Sequence, residues 1–342
     1  MTNTTTHLKK NLIIIGAGLS GLYAATLLQE EFNIIILEAR DRLGGRILTE
    51  EGHDLGPSWV WPHQKNILKL IRESGLELFS QYTQGDALYD APAGLQRFNA
   101  PPSSPSTRVV GGLEKVVHSL ASKLEPNIIH TNEEVRTVSY SDQKLTVTTT
   151  AGQYESDFVL CSLAPRLACE HIEYIPNLDT TVTDMMLKTP TWMGHTAKCV
   201  VEFTQAFWKD EGLSGFVYSP LGPLGEIHDA CIDGKPALFG FLSANVSTAQ
   251  VREDVRAQMK RLFADRSELI SKIYFIDWKG EKYSSSIHDT KGFSEHPRYG
   301  LNLSHFDNKL FFMGTETAYE EGGYLEGAVN SAKVTAEKLL SI

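Results

Sequence analysis

The sequence predicts an α/β protein: a parallel sheet of the nucleotide-binding kind, with a second, smaller α+β domain that carries a mixed sheet. Three observations lead there. Near the start, the apolar run Leu12 to Ile15 passes through Gly16-x-Gly18-x-x-Gly21 into a helix carrying Leu22, Ala25 and Leu28. A second strand, "NIIILE", then closes on the acidic Glu38. At the other end, Val329, Ala332, Ala336, Leu339 and Leu340 recur near a helical period from Leu325 onward, behind the glycine- and carboxylate-rich "GTETAYEEGGYLEGAV".

Each element has a physical reading. A lone G-x-G-x-x-G is weak evidence, but between a strand and a helix it defines a Rossmann-like turn. Gly16 permits the tight turn, Gly18 lets a pyrophosphate touch backbone, and Gly21 lets helix and strand pack closely. Glu38 is placed to accept hydrogen bonds from ribose hydroxyls and disfavours a 2′-phosphate. The continuation "EARDRLGGRI" adds Gly44-Gly45 and the arginines Arg40, Arg42 and Arg46. A glycine pair beside Arg46 supplies further backbone N–H groups and a bidentate cation for phosphate oxygens.

"GHDLGPSWVWPHQKNILKLIRESGLEL" follows, with a glycine turn, Trp59 and Trp61, and a helix from about Asn66 to Ser74 stopped by Gly75. Ligand contact and core packing are equally open for the two tryptophans. From Asp90 to Thr107 a Pro-, Ser- and Gly-rich stretch reads as loop or linker. A helix is expected after Gly111-Gly112, then strands in "VRTVSY", "LTVTTT" and "DFVLCSL", the first two as a hairpin across "SDQK". Later come the strands "AKCVVEF" and "PALFGFL" and the helix "AQVREDVRAQMKRLF". Glycines around Gly322 either admit a ligand to the last helix's N-terminus or cap an ordinary helix.

The 342 residues exceed the usual size of one core, and 42% hydrophobic with 22% charged residues is ordinary for a globular chain. The 32 Lys+Arg against 42 Asp+Glu give a net charge of −10, which argues against nucleic-acid or anionic-membrane partners and is compatible with cationic small molecules. Cys161, Cys169, Cys199 and Cys231 form no C-x-x-C pair, which suits a reducing cytosol, and no metal site is expected. "MTNTTTHLKKNLIIIGAG" lacks the apolar core and cleavage site of a signal peptide, no stretch approaches the roughly 20 apolar residues of a membrane span, and "AEKLLSI" is no tail anchor. The expectation is a soluble, cytoplasmic protein.

"EARDRLGGRI" resembles the FAD-binding GG motif of the flavin-dependent amine oxidases. "IDWKGEKYSSSIHDTKGFSEH", followed by "LFFMGTETAYEEGGYLEGAVNSAKVTAEKLL", resembles the C-terminal part of the monoamine oxidases closely and in order. With "GHTAKCVVEFTQAFW", the resemblance covers most of the chain. It implies an FAD-binding domain of 1–79, 108–188 and 279–342, and a substrate domain of 80–107 and 189–278. It implies that Glu38 holds the adenosine ribose, that Arg40, Gly45 and Arg46 serve the FAD cradle, and that Val135 lies beside the adenine. Gly56, Ser58 and Trp59 would run past the flavin ring, and Gly314 and Glu316 would contact the phosphate and ribitol region. Leu325 would bring its N–H to the flavin N1/C2 carbonyl, where a helix N-terminus stabilises negative charge. Glu320, Glu321 and Glu326 are then expected as surface or capping carboxylates.

Lys198 in "TAKCV" matches the family lysine that holds a water against flavin N5, with Trp278 near it. On the residues alone, a strand-edge surface lysine is the alternative. Tyr324 matches one wall of the family's aromatic cage. The other wall is His288 rather than tyrosine, and a plain surface histidine stays open. Ile287 stands where mammalian monoamine oxidases carry the cysteine that links to FAD, so the flavin is expected to be non-covalent. The implied reaction is oxidation of a small-molecule amine by hydride transfer to flavin N5, with imine hydrolysis and reoxidation by O2 to H2O2. An FAD-dependent dehydrogenase or desaturase of an apolar non-amine substrate is the alternative, and a non-catalytic flavoprotein a third reading. Arg166 and Arg298 are the candidates for binding a substrate carboxylate. Where the family inserts a large helical part before "RVVGG", this chain has only the Pro-rich stretch. The active site is therefore expected to be open to bulky substrates or covered by another subunit of a homo-oligomer.

Overall fold

The computed structural model describes residues 9–100, 104–243, 247, 249–289, 292, 295–301 and 303–342. The polar leader expected before the first strand lies largely outside them. By its packing the chain divides into two units, Met1–Gly45 with Val117–Trp192 and Glu295–Ile342, and Arg46–Val116 with Met193–Ser294. Residues 46–79, 108–116 and 279–294, expected with the nucleotide-binding domain, pack in the second unit, and residues 189–192 pack in the first.

In the first unit, strand Lys10–Ile15, helix Leu19–Leu28 and strand Phe32–Leu37 form the βαβ start. Lys10–Ile15 pairs in parallel with Phe32–Leu37 on one side and Phe158–Cys161 on the other. The sheet order is Ser304–His305, Leu310–Phe312, Phe158–Cys161, Lys10–Ile15, Phe32–Leu37, Ile129–His130. Only the edge strand Ser304–His305 pairs antiparallel. Central strands of such a sheet are covered on both faces, which is why "LIII" is apolar without alternation and wholly buried. Helix Leu325–Leu340 packs on helix Leu19–Leu28, where the Ser20 hydroxyl donates to the Ala328 carbonyl at 3.1 Å.

A second sheet in this unit runs Gln153–Ser156, Lys144–Thr149, Val135–Ser141, Glu173–Ile175. Its hairpin turns at Asp142 and Gln143, both at positive φ, the conformation whose twist matches antiparallel strands. Ile13, Leu37, Val138, Val147, Val159, Tyr174 and Phe312 share the core of the unit.

The second unit is built on a mixed seven-stranded sheet in the order Ile270–Asp277, Ala197–Phe203, Ala237–Leu242, Leu224–Asp229, Leu213–Tyr218, Asp86–Ala91, Gly94–Phe98. Only Leu213–Tyr218 and Asp86–Ala91 pair in parallel. Alternation along the strands gives the sheet two unlike faces. Cys199, Val201, Val217, Ile227 and Leu238 form one core with Val255, Met259 and Leu262 of helix Val251–Phe263. Val200, Phe239, Phe241 and Tyr274 belong to another, with Leu55 and Trp59.

The last two strands correct the loop expected from Asp90 onward. Pro92 and Ala93 fall at the tip of a hairpin, and Gly94–Phe98 is an exposed edge strand whose residues need no apolar alternation. Asp90 is buried and anchors the hairpin to helix Val251–Phe263, accepting from Arg261 Nη2 at 2.7 Å and from Ser219 Oγ at 2.6 Å.

Candidate active site

In the first unit the glycine-rich turn is a preformed cradle. Gly16 has φ +98°, and a Cβ there would meet Ser162 Oγ at 2.7 Å. A Cβ at Gly21 would stand 2.0 Å from the Gly16 carbonyl, so the helix can lie against the strand only without one. Gly18 is different: a Cβ there meets nothing within 4 Å. It opens the helix N-terminus to whatever lies above it. The second glycine pair closes on the same spot, with the Gly44 N–H donating to the Ala17 carbonyl at 2.8 Å and a Cβ at Gly45 falling 3.5 Å from Gly18 Cα. Glu38, 4% exposed, spans the turn: Oε2 accepts from the Ala17 N–H at 2.8 Å and Oε1 from the Arg40 N–H at 2.9 Å. The carboxylate thus holds the turn in shape, and each oxygen keeps a lone pair for a ribose hydroxyl. Val135 is buried in the unit's core at the start of its strand.

The glycine-rich stretch before the last helix has a second explanation. Gly314, at φ +143°, donates its N–H to Ser331 Oγ at 3.0 Å. Glu316 is fully buried and accepts from the Trp192 N–H at 3.0 Å, which fixes Trp192 against this turn. A Cβ at Gly322 would strike Tyr299, its Cβ at 2.5 Å and its ring at 2.8 Å, and one at Gly323 would strike Trp192 at 2.9 Å and His296 at 3.1 Å. These glycines make room for aromatic rings packed on Tyr324. His296 stacks on Tyr324 with centroids 5.1 Å apart and planes 14° apart, while Trp192 lies 4.4 Å from His296 and 5.9 Å from Tyr324. His296, Arg298, Tyr299, Tyr319, Glu321 and Tyr324 line a cleft of about 400 Å³. Tyr324 also occupies the N-cap of helix Leu325–Leu340 without a side-chain cap, which puts the buried Leu325 at the positive end of the helix dipole. Glu326, expected as a surface or capping carboxylate, is 4% exposed, where Gly327 brings the first turn against the Glu321 backbone.

In the second unit Lys198 sits on the Phe239 face of the sheet, 2% exposed. Its Nζ donates to the Gly56 carbonyl at 2.8 Å and to Ser58 Oγ at 2.6 Å, and lies 4.3 Å from the Phe239 ring centroid. Burial pulls the ammonium down to about 7, with Asp54 acting in the opposite direction and Arg108 adding to the fall. Asp54 is itself buried and pushed up from the usual carboxylate range by desolvation, although Thr49 Oγ1 and the Leu113 N–H hold its Oδ1. Trp278 is buried next to this group, its indole N–H donating to the Leu55 carbonyl at 3.0 Å. Trp59 donates to Gln81 Oε1 at 2.9 Å and packs on His228 and Phe239. The structure therefore brings Gly56, Ser58, Trp59, Lys198 and Trp278 into one neighbourhood. A Cβ at Gly56 would overlap the Arg46 carbonyl, at 2.0 Å, which ties the two segments together.

His288 is exposed, its N–H donating to Ser286 Oγ at 3.0 Å, and the neighbouring Ile287 is 79% exposed. Sequence reasoning did not single out Trp192, His296, Phe239, Phe241 or His228. Only the alternating phenylalanines of "ALFGFL" carried a signal, that of a strand with one aromatic face. Among the described residues no cluster of His, Cys, Asp or Glu could hold a metal ion, and no helix is long and apolar enough to cross a membrane.

The glycine-lined βαβ cradle of the first unit is that of a dinucleotide-binding protein, and the second unit adds a buried lysine under aromatic rings. The comparisons carry this further. A family model described as flavin containing amine oxidoreductase matches residues 19–106 and 102–340, and the chain belongs to that family. It is 24% identical to the flavin-containing amine oxidase A of Canis lupus familiaris, over 97% of this chain and 85% of that one. It is 23% identical to the flavin-containing amine oxidase B of Homo sapiens, over 97% and 86%. Among solved structures, a putrescine oxidase bound to putrescine shares the fold at TM-score 0.81 and 20% identity, covering 98% of this chain and all of that one. The cyclohexylamine oxidase of Brevibacterium oxydans IH-35A does so at TM-score 0.82 and 16% identity, over 97% and 100%. The protein is a flavin-containing amine oxidase, with FAD as its cofactor and an α/β fold of FAD-binding and substrate domains.

Proposed function

We propose that this chain oxidises a small-molecule amine, with Lys198 of the second unit and Tyr324 of the first as its catalytic side chains. FAD fits the first unit: the open side of Gly18, the Gly44-Gly45 turn, Glu38 and Arg40 would hold its adenosine and phosphates, Gly314 its ribitol region, and the Leu325 N–H its ring. FAD would supply the two-electron chemistry there, a hydride acceptor for the amine's α-carbon that is reoxidised by O2 to give H2O2, with water hydrolysing the imine to a carbonyl and ammonia or a smaller amine.

The chain's own residues do the rest. Lys198, held near neutrality by burial, keeps a share of free amine at working pH, so that it can position a water and take a proton from it. Gly56 and Ser58 fix the direction of its Nζ. The Tyr324, His296 and Trp192 rings give an aromatic wall that favours the neutral amine's alkyl chain. Positive charge at the start of helix Leu325–Leu340 offsets charge that develops at its N-terminus. Attachment without a covalent bond rests on Ile287 and on the thiols: burial pushes Cys161 and Cys199 up to about 12 and Cys169 and Cys231 up to about 11, so none is an activated nucleophile. The same unpaired cysteines support a cytosolic setting.

The buried Lys198 on an aromatic sheet face is the observation that carries this reading. The experiment is an absorbance spectrum of the purified holoprotein before and after anaerobic addition of an amine panel. Bleaching of the flavin band, reversed by air with peroxide formed, is expected. A flavin that no amine reduces would remove the proposal.

A further inference from the structure

Two cations and one carboxylate are shut together inside the second unit. Lys198, Arg108 and Asp54 are each 2% exposed. Asp54 stands two residues before Gly56, whose carbonyl receives the lysine, and its Oδ1 accepts from Thr49 Oγ1 at 2.7 Å and from the Leu113 N–H at 2.8 Å. Its Oδ2 is buried without a partner among the described residues. Arg108 enters from strand Thr107–Val109, its Cζ 5.4 Å from the Phe79 ring centroid and its Nη1 donating to the Cys231 carbonyl at 3.4 Å. Its Nε is likewise buried without a partner, so carboxylate and guanidinium act on each other through space.

The other charges nearby are already matched. Asp229, whose charge also reaches Arg108, accepts from Trp208 Nε1 at 2.9 Å and lies 3.3 Å from Lys209 Nζ. Glu202, on the lysine's own strand, is bonded to His53 Nε2 at 2.9 Å and to Ser271 Oγ at 3.0 Å. On the neighbouring strand, Lys272 and Tyr274 both donate to Glu51 at 2.7 Å. Lys198 itself pairs with Phe241 and Ile276 and donates to two neutral acceptors. Among the described residues, Asp54 is thus the carboxylate whose charge reaches both Lys198 and Arg108. One buried anion offsets one buried cation. A guanidinium keeps its proton across the working range, so the lysine is the group that yields.

We propose that Arg108 is a positioning residue that acts through Lys198: its fixed charge, set against Asp54, keeps the lysine a free amine able to take a proton from the water it holds. The proposal rests on the oxidase reading above, in which Lys198 has that task. Opposite effects of the two partners follow. Arg108→Met leaves Asp54 to the lysine and should raise the pH at which Lys198 titrates by about one unit, the low end for a neighbouring charge and a tenfold loss of free amine below it. Asp54→Asn is nearly isosteric, keeps an acceptor for Thr49 and Leu113, and should lower that pH by about as much. A merely structural role would weaken the fold in both variants without moving the titration in opposite directions.

Two measurements read the shift. Urea unfolding of the FAD-loaded protein from about pH 5 to about pH 10, with each variant paired to the same variant carrying Lys198→Met, isolates the lysine's contribution to stability. In the wild type that contribution is lost as pH falls through about 7. Its onset should move up in Arg108→Met and down in Asp54→Asn. In steady state with a saturating amine, the acid limb of kcat should move in the same two directions. Onsets that stay in place, or that move the same way in both variants, would overturn the proposal even if amines bleach the flavin. Where Arg108→Met does not fold, Asp54→Asn carries the test by itself, and an unmoved or raised onset overturns the proposal. An onset that moves while the kcat limb stays would overturn the link to turnover. Opposite movement of the onsets in a protein that no amine reduces would uphold the charge balance and remove the oxidase reading.

Discussion

Replacing Lys198 by Met separates the cost of burying the lysine from its chemistry. The amine lies under Phe239 with two acceptors at 2.8 and 2.6 Å, and burial lowers it to about 7 from the ordinary 10.5. That gap corresponds to about 5 kcal/mol between the charged and neutral forms. Between about pH 7 and pH 10 the unfolded chain carries a proton that the folded one has lost, so stability rises with pH by about 1.4 kcal/mol per unit. The contribution is complete above the unfolded value and lost as pH falls through about 7. Methionine fills a similar volume and does not titrate. Urea unfolding of both proteins at about pH 7 and about pH 9 should show the wild type gaining roughly 2 kcal/mol on the variant, the titration of cysteines and tyrosines cancelling in the difference. The variant should keep its FAD while turnover falls about a hundredfold, the low end for a positioned proton-transfer group. A flat difference between the two pH values would refute the buried-amine argument, and unchanged turnover would refute the catalytic one.

Two further outcomes follow from the same geometry. Gly18→Val should leave the melting temperature of the FAD-free protein unchanged, since φ −75°, ψ 179° suits any residue and a Cβ there meets nothing within 4 Å, yet the purified protein should lose its flavin absorbance. Retained flavin would show that the cofactor does not approach this turn. Asp90→Ala removes the buried acceptor of Arg261 and Ser219 and should cost about 2 kcal/mol in urea unfolding, reduced from the fully buried case because Arg261 is 41% exposed. Arg261 and Ser219 hold the Asp90 carboxyl below its usual range against desolvation, so this contribution is present above the ordinary carboxylate range and is lost as pH falls through the lowered folded value.

The parts of the site visible in the sequence are those whose physics is local. The cradle was legible because Gly16, Gly18 and Gly21 act within one turn, and Lys198 because a lysine inside the apolar run "AKCVV" is unusual, although a strand-edge surface position fits the same pattern. The aromatic stack on Tyr324 was not, because Trp192, His296 and Tyr299 come from other segments, and their only local trace is the glycines that yield to them. In the sequence those glycines fit either a ligand at the helix N-terminus or an ordinary cap, and the structure packs aromatic rings against them. The hairpin Asp86–Phe98 was missed for another reason: an exposed edge strand carries no alternation, and proline at its tip mimics a linker.

That hairpin also bears on the shortness of the chain. Where a large helical segment was expected to be missing, the residues before "RVVGG" extend the sheet by two strands and bring Tyr89 beside Tyr218. Pairing from Lys198 through Phe241 and Glu226 to Tyr218 therefore runs from a buried side chain to ones still half exposed, Glu226 at 52% and Tyr218 at 51%. Burial acts on the two charged groups of this row in opposite directions: desolvation pulls the Lys198 ammonium down to about 7, while the Glu226 carboxyl, bonded by His228, stays below its usual range.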